Sequence, residues 1–84
     1  MKPEDLPPYC EACWETFRET FRPDRLTCSS AEFELARRWF MADVPLPVVE
    51  RGIRETSGKP RTLLACEGAV TRAYLYWRDA MGAL

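Results

Sequence analysis

The sequence predicts an all-α domain of four helices, and three observations predict it. Apolar side chains recur at i, i+3, i+4 and i+7 in four separate segments, the spacing that gathers them on one face of a helix. No segment alternates apolar and polar residues as a half-buried strand would. Prolines, glycines and serines fall between the segments, where the chain must reverse. The 84 residues make one small four-helix domain, with 1–8 as a flexible lead-in and 9–84 as the folded unit. A domain of this size buries only about 60% of its unfolded surface. Three Trp, three Tyr and four Phe supply the large apolar areas that let a core form without a staple.

Pro7 and Pro8 precede a first helix from about Tyr9 to Phe21, because proline suits a first helical turn whose N–H groups have no partner. Its inner stripe is Cys10, Cys13, Trp14, Phe17 and Phe21. Glu11 and Glu15 near its start and Arg18 and Arg22 near its end complement the helix dipole, and Pro23 with Asp24 stops it. After a loop to Cys28, Ser29 and Glu32 form a capping box. The second helix then runs to about Ala42 and turns Phe33, Ala36, Trp39 and Phe40 inward. Asp43 is the expected N-cap of a third helix, which has Pro45 in its first turn and buries Leu46, Val49 and Ile53. Gly58 and Pro60 are stop signals. The fourth helix starts between Thr62 and Glu67 and runs to the C-terminus on the stripe Cys66, Val70, Ala73, Tyr74, Trp77, Met81. The expected single core joins Trp14, Phe17, Phe33, Trp39, Ile53, Val70, Tyr74 and Trp77.

Twelve basic and thirteen acidic side chains leave a net charge of −1, which argues against binding nucleic acid by bulk charge. A local patch is still open to it. Ten of the twelve bases are Arg, suited to bidentate pairing with carboxylate or phosphate. The start of the chain is polar and proline-rich, without the apolar run of a signal peptide, and no apolar stretch reaches membrane-spanning length. The expectation is a cytoplasmic protein with no membrane partner.

Four cysteines and no histidine are the most distinctive feature. Cys10 and Cys13 share one helical face, Cys66 opens the last stripe, and Cys28 precedes the second helix. Two uses stand side by side. Free cysteines pack as small hydrophobes, and thiolates gathered in space hold zinc at ~2.3 Å or an iron–sulfur cluster. From residue 13 to 21 a helix travels about 12 Å, and a seven-residue loop can retrace about 23 Å. Cys28 can therefore return to Cys10 and Cys13, and Cys66 can arrive at the same end. Helix N-termini converging there would lower the thiol pKa values. In that arrangement Cys10, Cys13, Cys28 and Cys66 are the ligands, since no histidine can substitute. The spacing matches no common zinc ribbon. Disulfides run against a reducing cytoplasm.

Catalysis is not expected: the chain has no histidine, no phosphate-binding glycine loop and no nucleophile motif, and its carboxylates are explained by capping and by i, i+3 and i, i+4 pairs. Residues 39–54 read as helix, tight turn, helix, an arrangement that in a DNA reader would expose Arg51 and Arg54 to a groove. The turn lacks glycine, and Pro47 stands where a base-reading side chain would be wanted. Within residues 51–61 four bases meet one acid, Glu55. Arg51, Arg54, Lys59, Arg61 and Arg72 thus form a candidate patch for nucleic acid or an acidic partner surface.

Arg38-Trp39, Val44-Pro45-Leu46, Val48-Val49-Glu50-Arg51-Gly52-Ile53, Lys59-Pro60-Arg61, Leu63-Leu64-Ala65-Cys66 and Trp77 together resemble the pattern of a family of short bacterial helical proteins. This resemblance covers over half the chain and concerns structure. More distantly, the order of tryptophan, helix, short linker and closing helix is similar to the C-terminal domain of DnaD-type replication-initiation proteins. That likeness implies a helical fold with DNA and helicase partners. The tyrosine-isoleucine signature of that domain is replaced here by Ala65-Cys66. The sequence thus points to a cytoplasmic helical interaction or adaptor module with a protein partner and with nucleic-acid or replication association open to it, or alternatively to a protein in which four cysteines ligate zinc or an iron–sulfur cluster.

Overall fold

A computed structural model describes residues 1–82, and no strand forms among them. Four helices carry the fold: α1 (Leu6–Phe21), α2 (Ser30–Met41), α3 (Leu46–Arg54) and α4 (Glu67–Gly82). Short 3-10 turns at Pro3–Asp5 and Leu63–Cys66 lead into α1 and α4. Helical structure thus begins within the segment expected as a lead-in. Pro7 and Pro8 lie inside the first turn of α1, where their missing N–H groups cost no hydrogen bond.

α2 begins as its cap predicts. Ser29 Oγ accepts the Glu32 N–H at 3.2 Å, and the Glu32 carboxylate accepts the Ser29 N–H at 3.0 Å. Its end differs from expectation. Asp43 does not cap α3; it sits at φ 59°, in the left-handed region. The Asp43 N–H donates to Phe40 C=O at 3.0 Å and the Val44 N–H to Trp39 C=O at 3.1 Å, the paired bonds of a Schellman motif. Asp tolerates the left-handed conformation better than most side chains, so it can end α2 where glycine is usual. Pro45 then serves as the N-cap of α3.

The helices form a row in which α1 lies between α2 and α3, and α3 lies between α1 and α4. The turn at Leu63–Cys66 touches α2, α3 and α4 and closes the row from one side. The result is a plate of 42 × 32 × 17 Å. Trp14, Phe17, Leu35, Trp39, Val49, Ile53, Leu63 and Val70 are buried in one core. Tyr9 meets Phe40 edge-on at 5.2 Å, and its hydroxyl donates to Val44 C=O at 2.7 Å, tying α1 to the α2–α3 turn.

Two members of the expected core lie outside it. Phe33 is 43% exposed, because the buried stripe of α2 is Glu32, Leu35, Ala36, Trp39 and Phe40. One residue is about 100° of rotation, which turns Phe33 off that face. Trp77 is 37% exposed and Tyr74 half-buried. α4 is longer than its support: sixteen residues extend about 24 Å against about 14 Å for the nine residues of α3. Only Ala69 and Val70 of α4 are buried.

Candidate functional site

The four cysteines differ in exposure, and Cys10, Cys13 and Cys28 lie near enough to act on one another electrostatically. Cys13 and Cys66 are fully buried and Cys10 nearly so, whereas Cys28 is partly exposed at the α2 start. Because α1 starts at Leu6, Cys10 and Cys13 lie in its interior rather than at its N-terminus. Burial raises all four thiol pKa values. The expected lowering by helix N-termini is absent. Arg37 offsets the rise at Cys10, Thr56 at Cys66, and neither reverses it. Protonated thiols are poor nucleophiles and poor metal ligands. Among the described residues no three Cys, His, Asp or Glu side chains gather into a group that could hold a metal ion.

The most elaborate polar arrangement is one the sequence pattern did not announce. Glu32 is completely buried, yet carries a carboxylate. Arg25 grips it with two bonds of 2.7 and 2.8 Å, the Leu63 N–H donates to it at 2.8 Å, and the Ser29 N–H completes the set. Burial pushes its pKa up, but the bonds from Arg25, Leu63 and Ser29 outweigh burial and hold it at about 2. Arg25 also lies over the Trp14 ring at 4.7 Å, and its backbone carbonyl accepts Arg18 Nε at 2.6 Å. This buried carboxylate therefore joins the α1–α2 loop, the start of α2 and the turn before α4. Bonded to all three segments, it latches them together.

The basic patch divides between two clefts. Arg51 and Arg72 line a groove of about 350 Å3 between α3 and α4, with Glu55, Ala69, Ala73 and Tyr76. Near the groove the two helices approach closely at Gly52. A Cβ on Gly52 would stand 2.6 Å from Val70 Cα, so only glycine lets the backbones approach there. Arg51 pairs with Glu55 at 2.6 Å. Lys59 and Arg61 instead face Arg22, Thr20, Phe21 and Pro60 across a cleft of about 580 Å3 at the end of α1. Arg54 is exposed and lines neither cleft. As for the helix–turn–helix reading, α3 packs on α1 and α4 rather than on α2.

The remaining feature is the distal half of α4. Leu75, Tyr76, Trp77 and Met81 are exposed at 42, 70, 37 and 53%. They point in different directions around the helix rather than forming one face; on one side Tyr74 and Trp77 stack at 6.0 Å, with Arg78 5.8 Å from the Tyr74 ring. The signal for it was present in the sequence: an apolar stripe continuing to Met81, over more turns than α3 can cover. No helix among the described residues is long and apolar enough to cross a membrane. Comparison with protein-family models, characterised proteins and solved structures gives no match.

Proposed function

We propose that the chain is a protein-interaction module, binding rather than catalysing, with the distal half of α4 as its docking helix. The observation that carries this reading is the set of aromatic and methionine side chains left uncovered around α4 beyond the core, with Tyr76 at 70% and Met81 at 53% exposure. Tyr, Trp and Met are enriched at the centres of protein interfaces, and Tyr and Trp dominate their hot spots. The stacking of Tyr74, Trp77 and Arg78 lowers the ordering cost of binding. A cytoplasmic location accompanies the proposal and is supported by four free cysteines, the state a reducing compartment maintains. The test is affinity capture with the full chain, wild type against the Tyr76→Ser/Trp77→Ser double variant. Proteins captured by the wild type should be lost by the variant while it still unfolds cooperatively. An unchanged captured set overturns the reading.

A second reading, association with nucleic acid, is supported by the Thr20–Arg22 and Lys59–Arg61 cleft, lined by Lys59 and Arg61 together with Arg22, which pairs with Asp24 at 3.1 Å. Replacing Lys59 and Arg61 together by Ala should flatten the salt dependence of binding to a labelled oligonucleotide, by about 0.7–0.9 in slope for each phosphate no longer neutralised. No binding at low salt removes this reading and leaves the cleft a solvated face.

A further inference from the structure

The linker between α3 and α4 carries two cations that no carboxylate takes. Lys59 and Arg61 line the cleft at the end of α1, and neither joins an ion pair among the described residues. Arg22, on the opposite wall, is already held by Asp24 through bonds of 3.1 and 3.2 Å. Lys59 precedes a proline, which favours extended backbone for it. The two free cations are therefore spread along the cleft rather than stacked on one turn.

The segment that bears them is fixed. Gly58 turns it at φ 81°, and Pro60 is buried. Arg25 Nη1 donates to Arg61 C=O at 3.4 Å, and the Leu63 N–H donates to Glu32 at 2.8 Å. The buried carboxylate and its arginine thus hold the linker as well as the core. A ligand meets cations whose backbone was ordered in folding, which lowers the cost of binding.

The same cleft holds an aromatic ring. Phe21 rests on Phe17 at 5.9 Å, is only partly buried, and lines the cleft. Cations beside an aromatic ring in one groove hold single-stranded nucleic acid: phosphates go to Lys and Arg, and a base stacks on the ring. In a duplex the base faces are covered by their neighbours, so the ring would have no partner. The walls of the cleft are a helix end and a linker, whereas a major groove takes a helix or a two-stranded ribbon.

We infer that this cleft binds single-stranded nucleic acid, one base on Phe21 and phosphates on Lys59 and Arg61; the inference rests on the nucleic-acid reading of the cleft. Fluorescence anisotropy with the full chain at low salt tests it. The labelled probes, about twelve nucleotides long, are single-stranded DNA, the same sequence as RNA, duplex DNA and an abasic DNA strand. The better of the two single strands names the source, and it should bind about fivefold or more tightly than the duplex and the abasic strand. Its log affinity should fall with log salt at a slope of about −1.4, for two phosphates. Lys59→Ala/Arg61→Ala should remove most of that slope. Phe21→Leu keeps an apolar side chain on Phe17, and it should bring the single strand to the abasic level while unfolding stays cooperative. A duplex or abasic strand bound as tightly as the single strand, or indifference to Phe21→Leu, overturns the inference and leaves nucleic acid held by charge alone. No binding of any probe, or binding unchanged by Lys59→Ala/Arg61→Ala, overturns both.

Discussion

Glu32 bears its charge at zero exposure because four hydrogen-bond donors surround it: two from Arg25, one from Leu63 and one from Ser29. Its folded pKa of about 2 lies below the ~4.3 of an unfolded glutamate, so its contribution is full above the unfolded value and lost as pH falls toward the folded one. Urea midpoints of the wild type should therefore drop between pH 5 and pH 2 by more than those of Glu32→Gln, the excess being about 3 kcal/mol. At pH 7 the substitution should itself cost on the order of 3 kcal/mol or more, since Arg25 loses its anionic partner. Parallel pH profiles for the two proteins would assign the acid sensitivity to other carboxylates. The capping half of this arrangement was legible, because Ser29 and Glu32 are three residues apart. Arg25 and Leu63 were not, since their approach depends on the paths of two loops. Glu32 also disguised the inner face of α2: the apolar Phe33 beside it took its place in the expected stripe, whereas Ala36, Trp39 and Phe40 lie inward as expected.

Among the elements, α3 is the shortest of the four helices and, like α1, has packed neighbours on both sides, here α1 and α4. Gly52 sets its distance from α4. Gly52→Ala gains up to about 1 kcal/mol in helix propensity, yet the new methyl meets Val70 Cα at 2.6 Å, a backbone atom that cannot swing aside. The net outcome should be a loss of about 1–3 kcal/mol, measured by chemical denaturation. A neutral or stabilising result would show that α4 slides freely along α3. Starts and stops governed by local chemistry were readable: the Ser29 cap, Pro7 and Pro8 in a first turn, Gly58 at φ 81° before the last helix. Asp43 was misread because Asp favours N-caps and also tolerates the left-handed position after a helix. Its neighbour decides between the two roles: Val44 buries its side chain and donates its N–H back to Trp39.

At the scale of the whole molecule, a helix row only 17 Å thick makes each helix answer to its neighbours in line rather than to a common centre. Periodicity identified the four members of the row and most of its core, but their order in space comes from long-range packing that no local spacing encodes. The terminal member, α4, rests on α3 and on the turn at Leu63–Cys66. The thiols happen to be distributed along this row, so the molecule carries its own reporters of partial opening. Cys28 stands at the rim, Cys66 beneath the beginning of α4, and Cys13 inside α1. In excess alkylating reagent, with modification followed by mass spectrometry, Cys28 should react first. Cys66 should come next, at the frequency with which α4 lifts from α3, and Cys13 last, at the frequency of global unfolding. Equal rates at Cys66 and Cys13 would mean that the row opens as one unit. Unequal rates would give the free energy of detaching α4 by itself.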